Sequence, residues 1–245
     1  VSTTSESRSA LVTGSTRGIG RAVASRLIAD GWIVGINGRD PEAVAAVVAE
    51  LGESAQPAGF DVTDSKSVLA GIAGFRKAAG RLDAVVHCAG QMRDAPLGLL
   101  TDELIAEQLQ VNVAGALYLT QAATRAMGRS GGSIVLIGSV VGEDGAVGQT
   151  LYAATKAAVG GIVRSAAKEL GPRGIRVNAV VPGVIDTELT AGLSAEARTE
   201  LAAAAPLRRI GTAEEVADVI CFLVGDDARY VTGELVRVSG GLHLP

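Results

Sequence analysis

At 245 residues, 48% of them apolar, and with a mean hydropathy of +0.33, the chain is long and apolar enough for one α/β domain with an ample core. Its net charge of -4 leaves no basic stripe for nucleic acid, and no stretch offers the ~18 uninterrupted apolar residues of a membrane span. The two cysteines, Cys88 and Cys221, lie in apolar runs and are expected to be buried thiols in a reducing, cytoplasmic compartment rather than a disulfide or a metal site.

Residues 1–8 are polar, lack the apolar core of a signal peptide, and are expected to form a flexible tail before a domain spanning 9–245. Residues 10–14 read as a short strand and 19–30 as a helix, with Ile19, Val23 and Leu27 at spacing four and Gly31 placed to stop it. Between them glycines at 14, 18 and 20 would let the backbone turn sharply, approach a pyrophosphate, and pack the helix on the sheet, while the helix N-terminus favours the anion. The spacing is G-x-x-x-G-x-G, and the alternative is a glycine-rich turn without a ligand. Gly14, Ser15, Thr16, Arg17, Gly18, Ile19 and Gly20 are therefore candidate cofactor contacts.

A second strand, 32–37, ends in Gly38 and Arg39, and Asp40-Pro41 opens the next helix. In nicotinamide-dinucleotide sites an acidic residue at this strand end holds the ribose 2′-hydroxyl, whereas an arginine accommodates a 2′-phosphate. Arg39, with Arg17 nearby, points to NADP(H); the alternative is two solvated arginines. A strand at 55–60 leads to Asp61 and Val62, then a helix at 65–79 with Asp64 as its expected cap. A strand at 82–87 runs into Cys88, Ala89 and Gly90. Asp61 could accept from an adenine amine or cap the helix, and Gly90 would let an adenosine lie against the backbone.

From Thr101 a long helix is expected to about Gly128 with Asn112 in its middle, where asparagine either binds something or is a satisfied core residue. The apolar run 134–137 reads as a buried strand ending near Ser139, where open α/β sheets place ligands. After Thr150 comes a helix carrying Tyr152 and Lys156. Four residues apart, the two lie on one face, so the ammonium can favour the phenolate. Drawing a phenol from ~10 to ~7 takes about 4 kcal/mol, at ~1.36 kcal/mol per unit. An ammonium and a cofactor's positive ring together suit that. Ser139 could orient a substrate carbonyl beside the phenol.

That helix should end near Gly171-Pro172, before a strand at 175–181 and Pro182-Gly183. An irregular, alanine-rich stretch at 185–209 is a candidate lid. A helix at 213–224 and a strand at 234–238 complete seven strands, expected as a Rossmann-type doubly wound parallel sheet.

With Thr13-Gly14-x3-Gly18-x-Gly20, Asn112, Ser139, Tyr152-x3-Lys156 and Pro182-Gly183 in this order, the chain resembles the short-chain dehydrogenase/reductase family from about residue 9 to 242. The 138–142, 148–156 and 230–234 stretches are most similar to bacterial 3-oxoacyl-[acyl-carrier-protein] reductases. Relatives with the same core reduce sugars, steroids or secondary-metabolite ketones, and a non-catalytic NADP-binding sensor is the reading from another class.

The resemblance implies that Tyr152 gives its proton to the carbonyl oxygen, Ser139 positions that oxygen, Lys156 also holds the nicotinamide ribose, and Asn112 holds a water in a proton relay. It implies that Thr187, and the backbone of Ile185, lie beside the nicotinamide, with Pro182 and Gly183 lining the same end. It further implies a homotetramer, and docking of an acidic carrier protein on Arg129 and Arg173, for which complementing helix dipoles is the plainer explanation. The family usually has Asn-Ala-Gly where this chain has Cys88-Ala89-Gly90. Cys88 is then a small apolar replacement or a reactive thiol, and His87 a packed strand-end residue.

Overall fold

The computed structural model describes residues 7–128, 130–188 and 190–242. Strands β1 (Ser9–Thr13), β2 (Ile33–Ile36), β3 (Ala55–Pro57), β4 (Ala84–His87), β5 (Gly132–Ile137), β6 (Ile175–Pro182), β7 (Ile185–Asp186), β8 (Gly211–Thr212) and β9 (Leu235–Val238) alternate with helices α1 (Gly18–Ala29), α2 (Pro41–Leu51), α3 (Ser65–Ala79), α4 (Asp102–Leu109), α5 (Gly115–Met127), α6 (Val141–Asp144), α7 (Thr150–Leu170), α8 (Ala195–Ala204) and α9 (Ala213–Val224).

Seven strands form one parallel sheet in the order β3-β2-β1-β4-β5-β6-β9. The order reverses between β1 and β4, so a crevice opens at their C-terminal ends, the place where such sheets bind nucleotides.

Both faces of the sheet are covered, which is why its strands read as continuous apolar runs rather than alternating ones. Successive side chains still point to opposite layers. Val135 joins the core under α1, α2 and α9, with Val23, Leu27, Val44 and Ile220. Its neighbours Ile134 and Leu136 join the core under α3, α5 and α7, with Phe75, Leu119 and Val163. Helix starts follow side-chain capping. Asp40 accepts from Glu42 N with Pro41 at the first helical position, and Asp64 accepts from Lys66 N. Thr212 and Glu215 form a reciprocal capping box on α9. Each such cap stabilises its helix by ~1 kcal/mol.

Four sequence expectations are corrected. The helix expected over 101–128 is interrupted: Gln110–Ala114 is a π-turn between α4 and α5, with Asn112 inside it. The third strand stops at Pro57 rather than 60, because Asn37 captures the carbonyls of Ala58 and Phe60 with its side-chain amide. The 185–209 stretch is not irregular throughout. It contains β7, which pairs with β8 through Ile185–Gly211 and Asp186–Thr212, and α8, capped by Ser194. The tail expected over 1–8 is also shorter at its inner end. Arg8 stacks over Trp32 at 4.3 Å and accepts from Ile33 N through its carbonyl, while residues 1–6 lie outside the described residues.

Candidate active site

The reactive side chains meet where β5 ends and α7 begins. Tyr152 sits in the first turn of α7, buried, and the Ser139 side chain just beyond β5 acts on its phenol, lowering its pKa. Val141 N donates to Ser139 Oγ at 3.2 Å, so the turn into α6 holds the serine in place. One turn after Tyr152, Lys156 Nζ lies 5.7 Å from its ring centroid and donates to the Ile137 carbonyl at 2.9 Å. A Cβ on Gly142 would stand 2.7 Å from the Lys156 carbonyl carbon, so a glycine is what lets α6 pack this closely on α7.

The electrostatics run against the expectation of a lowered phenol. Burial pushes Tyr152 up to about 12, the Ser139 hydrogen bond pulls it down by less, and the Asp94 carboxylate adds a further upward push. Burial also brings the Lys156 ammonium down to about 8. Desolvation wins because each charged form gives up water for few partners. Tyr152 is therefore a protonated acid at neutral pH.

Asn112 is a brace. Its Oδ1 accepts from Gln91 N at 2.9 Å, and its Nδ2 donates to the Gln91 carbonyl at 2.9 Å and to Thr155 Oγ1 at 3.0 Å. Thr155 in turn donates to the Tyr152 carbonyl at 2.8 Å. The π-turn thus ties the loop after β4 to the first turn of α7, and such turns recur at functional sites.

The same loop is pinned again further on. Arg93 N donates to Gln108 Oε1 at 3.1 Å, Gln149 Nε2 donates to Asp94 at 2.8 Å, and Ala95 N donates to the Gly148 carbonyl at 3.0 Å. Thr155, Gln108 and the Asp94–Gln149 clasp had no role in the sequence reading. Only the position of Thr155, three residues after Tyr152 on a helix face, hinted at it.

The glycine loop has the shape of a phosphate cradle. Gly14 and Gly18 have φ of 62° and 54°. A Cβ on Gly14 would meet the Ala89 backbone at 2.9 Å, and one on Gly20 would meet the Gly14 carbonyl oxygen at 2.3 Å, so β1, α1 and the loop after β4 close together only with glycines there. Thr16, Arg17, Gly18 and Thr187 line one cavity of about 1000 Å³. Arg17 and Arg39 are both exposed and have no ion-pair partner among the described residues.

Other expected contacts are used internally. Ser15 is fully buried, with its N–H and its hydroxyl engaged by the Asn37 and Val12 carbonyls. Asp61 spends Oδ1 on Thr63, and the cap falls to Asp64. The Val62 side chain is buried beneath Gly115. Gly183 lets Ser239 approach to where its Cβ would be, and the Pro182 carbonyl accepts from Val140 N. Thr187 N donates to Thr190 Oγ1 at 3.2 Å, and Ile185 is buried in β7.

At the strand end, burial pushes the Cys88 thiol up to about 12 against a smaller downward pull from Lys156, the state of an inert thiol. His87 is buried, with Nδ1 2.8 Å from Thr13 Oγ1 and Nε2 without a partner. Desolvation, then the Lys156 charge, lowers it to about 3, so it is neutral. Folding therefore disfavours its protonation. The stability this neutral imidazole keeps is complete above ~6.5 and is lost as pH falls toward 3. His87→Gln should remove that term. Between pH 7 and 4 the wild type should lose roughly 3 kcal/mol more than the variant in urea titrations; parallel losses would show that His87 takes up its proton as readily in the folded chain as in the unfolded one.

Arg173 Nη2 donates to the Thr124 and Gly128 carbonyls at 2.8 and 2.9 Å, capping the last turn of α5. Arg129 lies outside the described residues. Among the described residues no group of three metal-ligating side chains could hold an ion, and no helix is long and apolar enough to cross a membrane.

Residues 14–243 match a family model described as enoyl-(acyl carrier protein) reductase. The chain is 40% identical over 236 residues to the 3-oxoacyl-[acyl-carrier-protein] reductase FabG of Haemophilus influenzae, covering 96% of this chain and 98% of the relative. It is also 40% identical over 253 residues to a (3R)-3-hydroxyacyl-CoA dehydrogenase of Rattus norvegicus, covering 96% of each. A solved structure of a short-chain type dehydrogenase/reductase from Mycobacterium ulcerans superposes with a TM-score of 0.93 at 36% identity, covering 96% of this chain and 90% of that one.

Proposed function

The chain belongs to the short-chain dehydrogenase/reductase family of oxidoreductases, and we propose that it reduces a 3-oxoacyl thioester carried by acyl carrier protein, with NADPH as the reductant. The observation that carries this reading is the convergence of Ser139, just after β5, and Tyr152, buried at the start of α7, beside the Lys156 ammonium 5.7 Å from the Tyr152 ring, at the mouth of the glycine-lined crevice. That arrangement suits a carbonyl oxygen better than an isolated carbon–carbon double bond, because two hydroxyls converge on one acceptor.

The residues present fit a nicotinamide dinucleotide. Gly14, Gly18 and Gly20 hold the tight turn that brings the N-terminus of α1 to the crevice, where a pyrophosphate would bind, Gly90 is exposed beside Asn112 and Lys156, and Arg17 and Arg39 stand ready for a 2′-phosphate. When bound, the cofactor supplies the hydride that goes to the carbonyl carbon. Ser139 holds the carbonyl oxygen, and Tyr152 Oη delivers the proton to it as charge develops. Lys156 steadies the phenolate left behind and, with a water held near Asn112, passes a replacement proton inward. The protein works as a cytoplasmic homotetramer.

The arginines make the cofactor choice testable. Arg39→Gln together with Gly38→Asp should move preference from NADPH toward NADH by at least ~10-fold in kcat/KM, since a carboxylate repels the 2′-phosphate and accepts from a free hydroxyl. Thr16 has to turn aside for the new side chain, because a Cβ on Gly38 would sit 2.8 Å from its Cγ2. Unchanged preference would mean both arginines are solvated bystanders.

Turnover of NADPH with a 3-oxoacyl thioester tests the activity itself, with an enoyl thioester as the control. A protein that binds NADPH but reduces no ketone would be a sensor instead. The rat relative's name favours one further comparison, a coenzyme A thioester against a carrier-bound one. If Arg173 also docks the carrier, Arg173→Glu should raise KM for the carrier-bound substrate alone, and salt should weaken the wild-type reaction. Equal effects on both substrates would leave Arg173 as a helix cap and move the assignment toward free thioesters or small ketones.

A further inference from the structure

A second cavity, of about 400 Å³, lies between α3 and α5. It falls within the ~300–1,000 Å³ of small-molecule sites. Its two halves differ in character. Leu69, 42% exposed, Ile72 and Ala122 make an apolar floor, and Arg76, Lys77 and Arg125 stand at one end in the last turns of the two helices. Those turns feed β4 and β5, so the groove opens at the N-terminal edge of the sheet, opposite the Tyr152 cleft.

The charge distribution is lopsided. The chain has 26 acidic against 22 basic side chains, yet neither α3 nor α5 contains a single carboxylate, while together they carry Lys66, Arg76, Lys77 and Arg125. None of these four is in an ion pair among the described residues. Complementing helix dipoles accounts for cations in a last turn. It does not account for the absence of acids from both helices, nor for a leucine left open to water beside them. Arg173, bound to the end of α5, adds positive charge at the same place.

We propose that this groove is a binding site for an amphiphilic anion, a fatty-acid carboxylate whose chain lies on Leu69, Ile72 and Ala122 and whose head group meets Arg76, Lys77 and Arg125. The apolar floor removes the chain from water. The cationic end supplies charge-assisted hydrogen bonds, which neutral ligands cannot match. A volume of about 400 Å³ is of the size that takes one such small molecule.

Calorimetric titration of dodecanoate into the full chain, below the micelle concentration, tests the site. One dodecanoate should bind per chain, and dodecanol should bind at least ~10-fold more weakly because it lacks the charge. The double variant Arg76→Glu, Lys77→Glu should lose at least ~10-fold in affinity through like-charge repulsion. Ala73→Phe, at an exposed position on the floor, should block binding without touching the charges. Thermal denaturation of each variant checks that the fold survives. Equal affinity for dodecanol, unchanged binding in both variants, displacement by a 3-oxoacyl thioester, unsaturable uptake, or no binding at all would each overturn the assignment. None of these outcomes depends on the reductase reaction.

Discussion

Tyr152→Phe should lower kcat at least ~10²-fold, the usual consequence of losing a general acid, while cofactor affinity stays within a few-fold. The ring keeps its place, since it is packed into the start of α7 at 7% exposure and the substitution removes one oxygen. What goes is the proposed proton donor beside Ser139. With the phenol pushed up to about 12, the wild type holds that proton throughout the neutral range. Its reductase rate should therefore be limited by other groups until the pH is well into the alkaline range. Single-turnover mixing with saturating cofactor measures the chemical step directly. Activity surviving within a few-fold would remove Tyr152 from the mechanism.

Lys156→Met should produce the opposite signs in function and in stability. In the proposed mechanism, loss of the ammonium takes away the charge that steadies the phenolate and a donor to the cofactor ribose, so kcat/KM should fall at least ~10²-fold. The folded protein should nevertheless become more stable at pH 7. Burial lowers Lys156 from 10.5 to about 8, which means folding pays to keep the ammonium charged. At ~1.36 kcal/mol per unit the penalty is at most roughly 3 kcal/mol, and partial exposure of the residue reduces it to ~1–2 kcal/mol.

The sign follows from proton binding. Between about 8 and 10.5 the unfolded chain holds this proton more tightly than the folded one, so this group's contribution to stability rises with pH across that window and the penalty is full below it. A methionine, unbranched and of similar length, removes both the penalty and the rise. Denaturant titrations at pH 7 and 9 read both effects. A variant that is less stable at pH 7 would show that the Lys156–Ile137 hydrogen bond outweighs desolvation.

Much of the architecture is legible in the chain because it is local. Apolar runs of four to six residues between glycines mark strands buried on both faces, and spacing of three and four marks helices that cover them. Asp40-Pro41 and Asp64 mark helix starts that the structure places at those residues. The glycine loop is legible for the same reason, since Gly14, Gly18 and Gly20 stand where any side chain would meet backbone or force an unfavourable φ. The pairing of Tyr152 with Lys156 follows from helical periodicity alone.

The places where the sequence reading stops are those where a partner far along the chain decides. The end of β3 depends on Asn37, more than twenty residues earlier, and the π-turn at Asn112 exists to reach Gln91 and Thr155 at once. Neither leaves a local signature. The state of the phenol is a tertiary matter as well. Sequence spacing brings a cation near Tyr152 and so suggests a lowered pKa, but how much water the folded chain removes from both groups sets the direction, and that removal raises the phenol to about 12. The sequence by itself thus determined most of the helices, the seven strands of the parallel sheet and the shared face of Tyr152 and Lys156, because periodicity, caps and glycines act over a few residues. Only the tertiary structure decided their protonation, the bracing of Asn112 and the two-faced groove between α3 and α5, because burial and long-range hydrogen bonds depend on what the rest of the chain packs against.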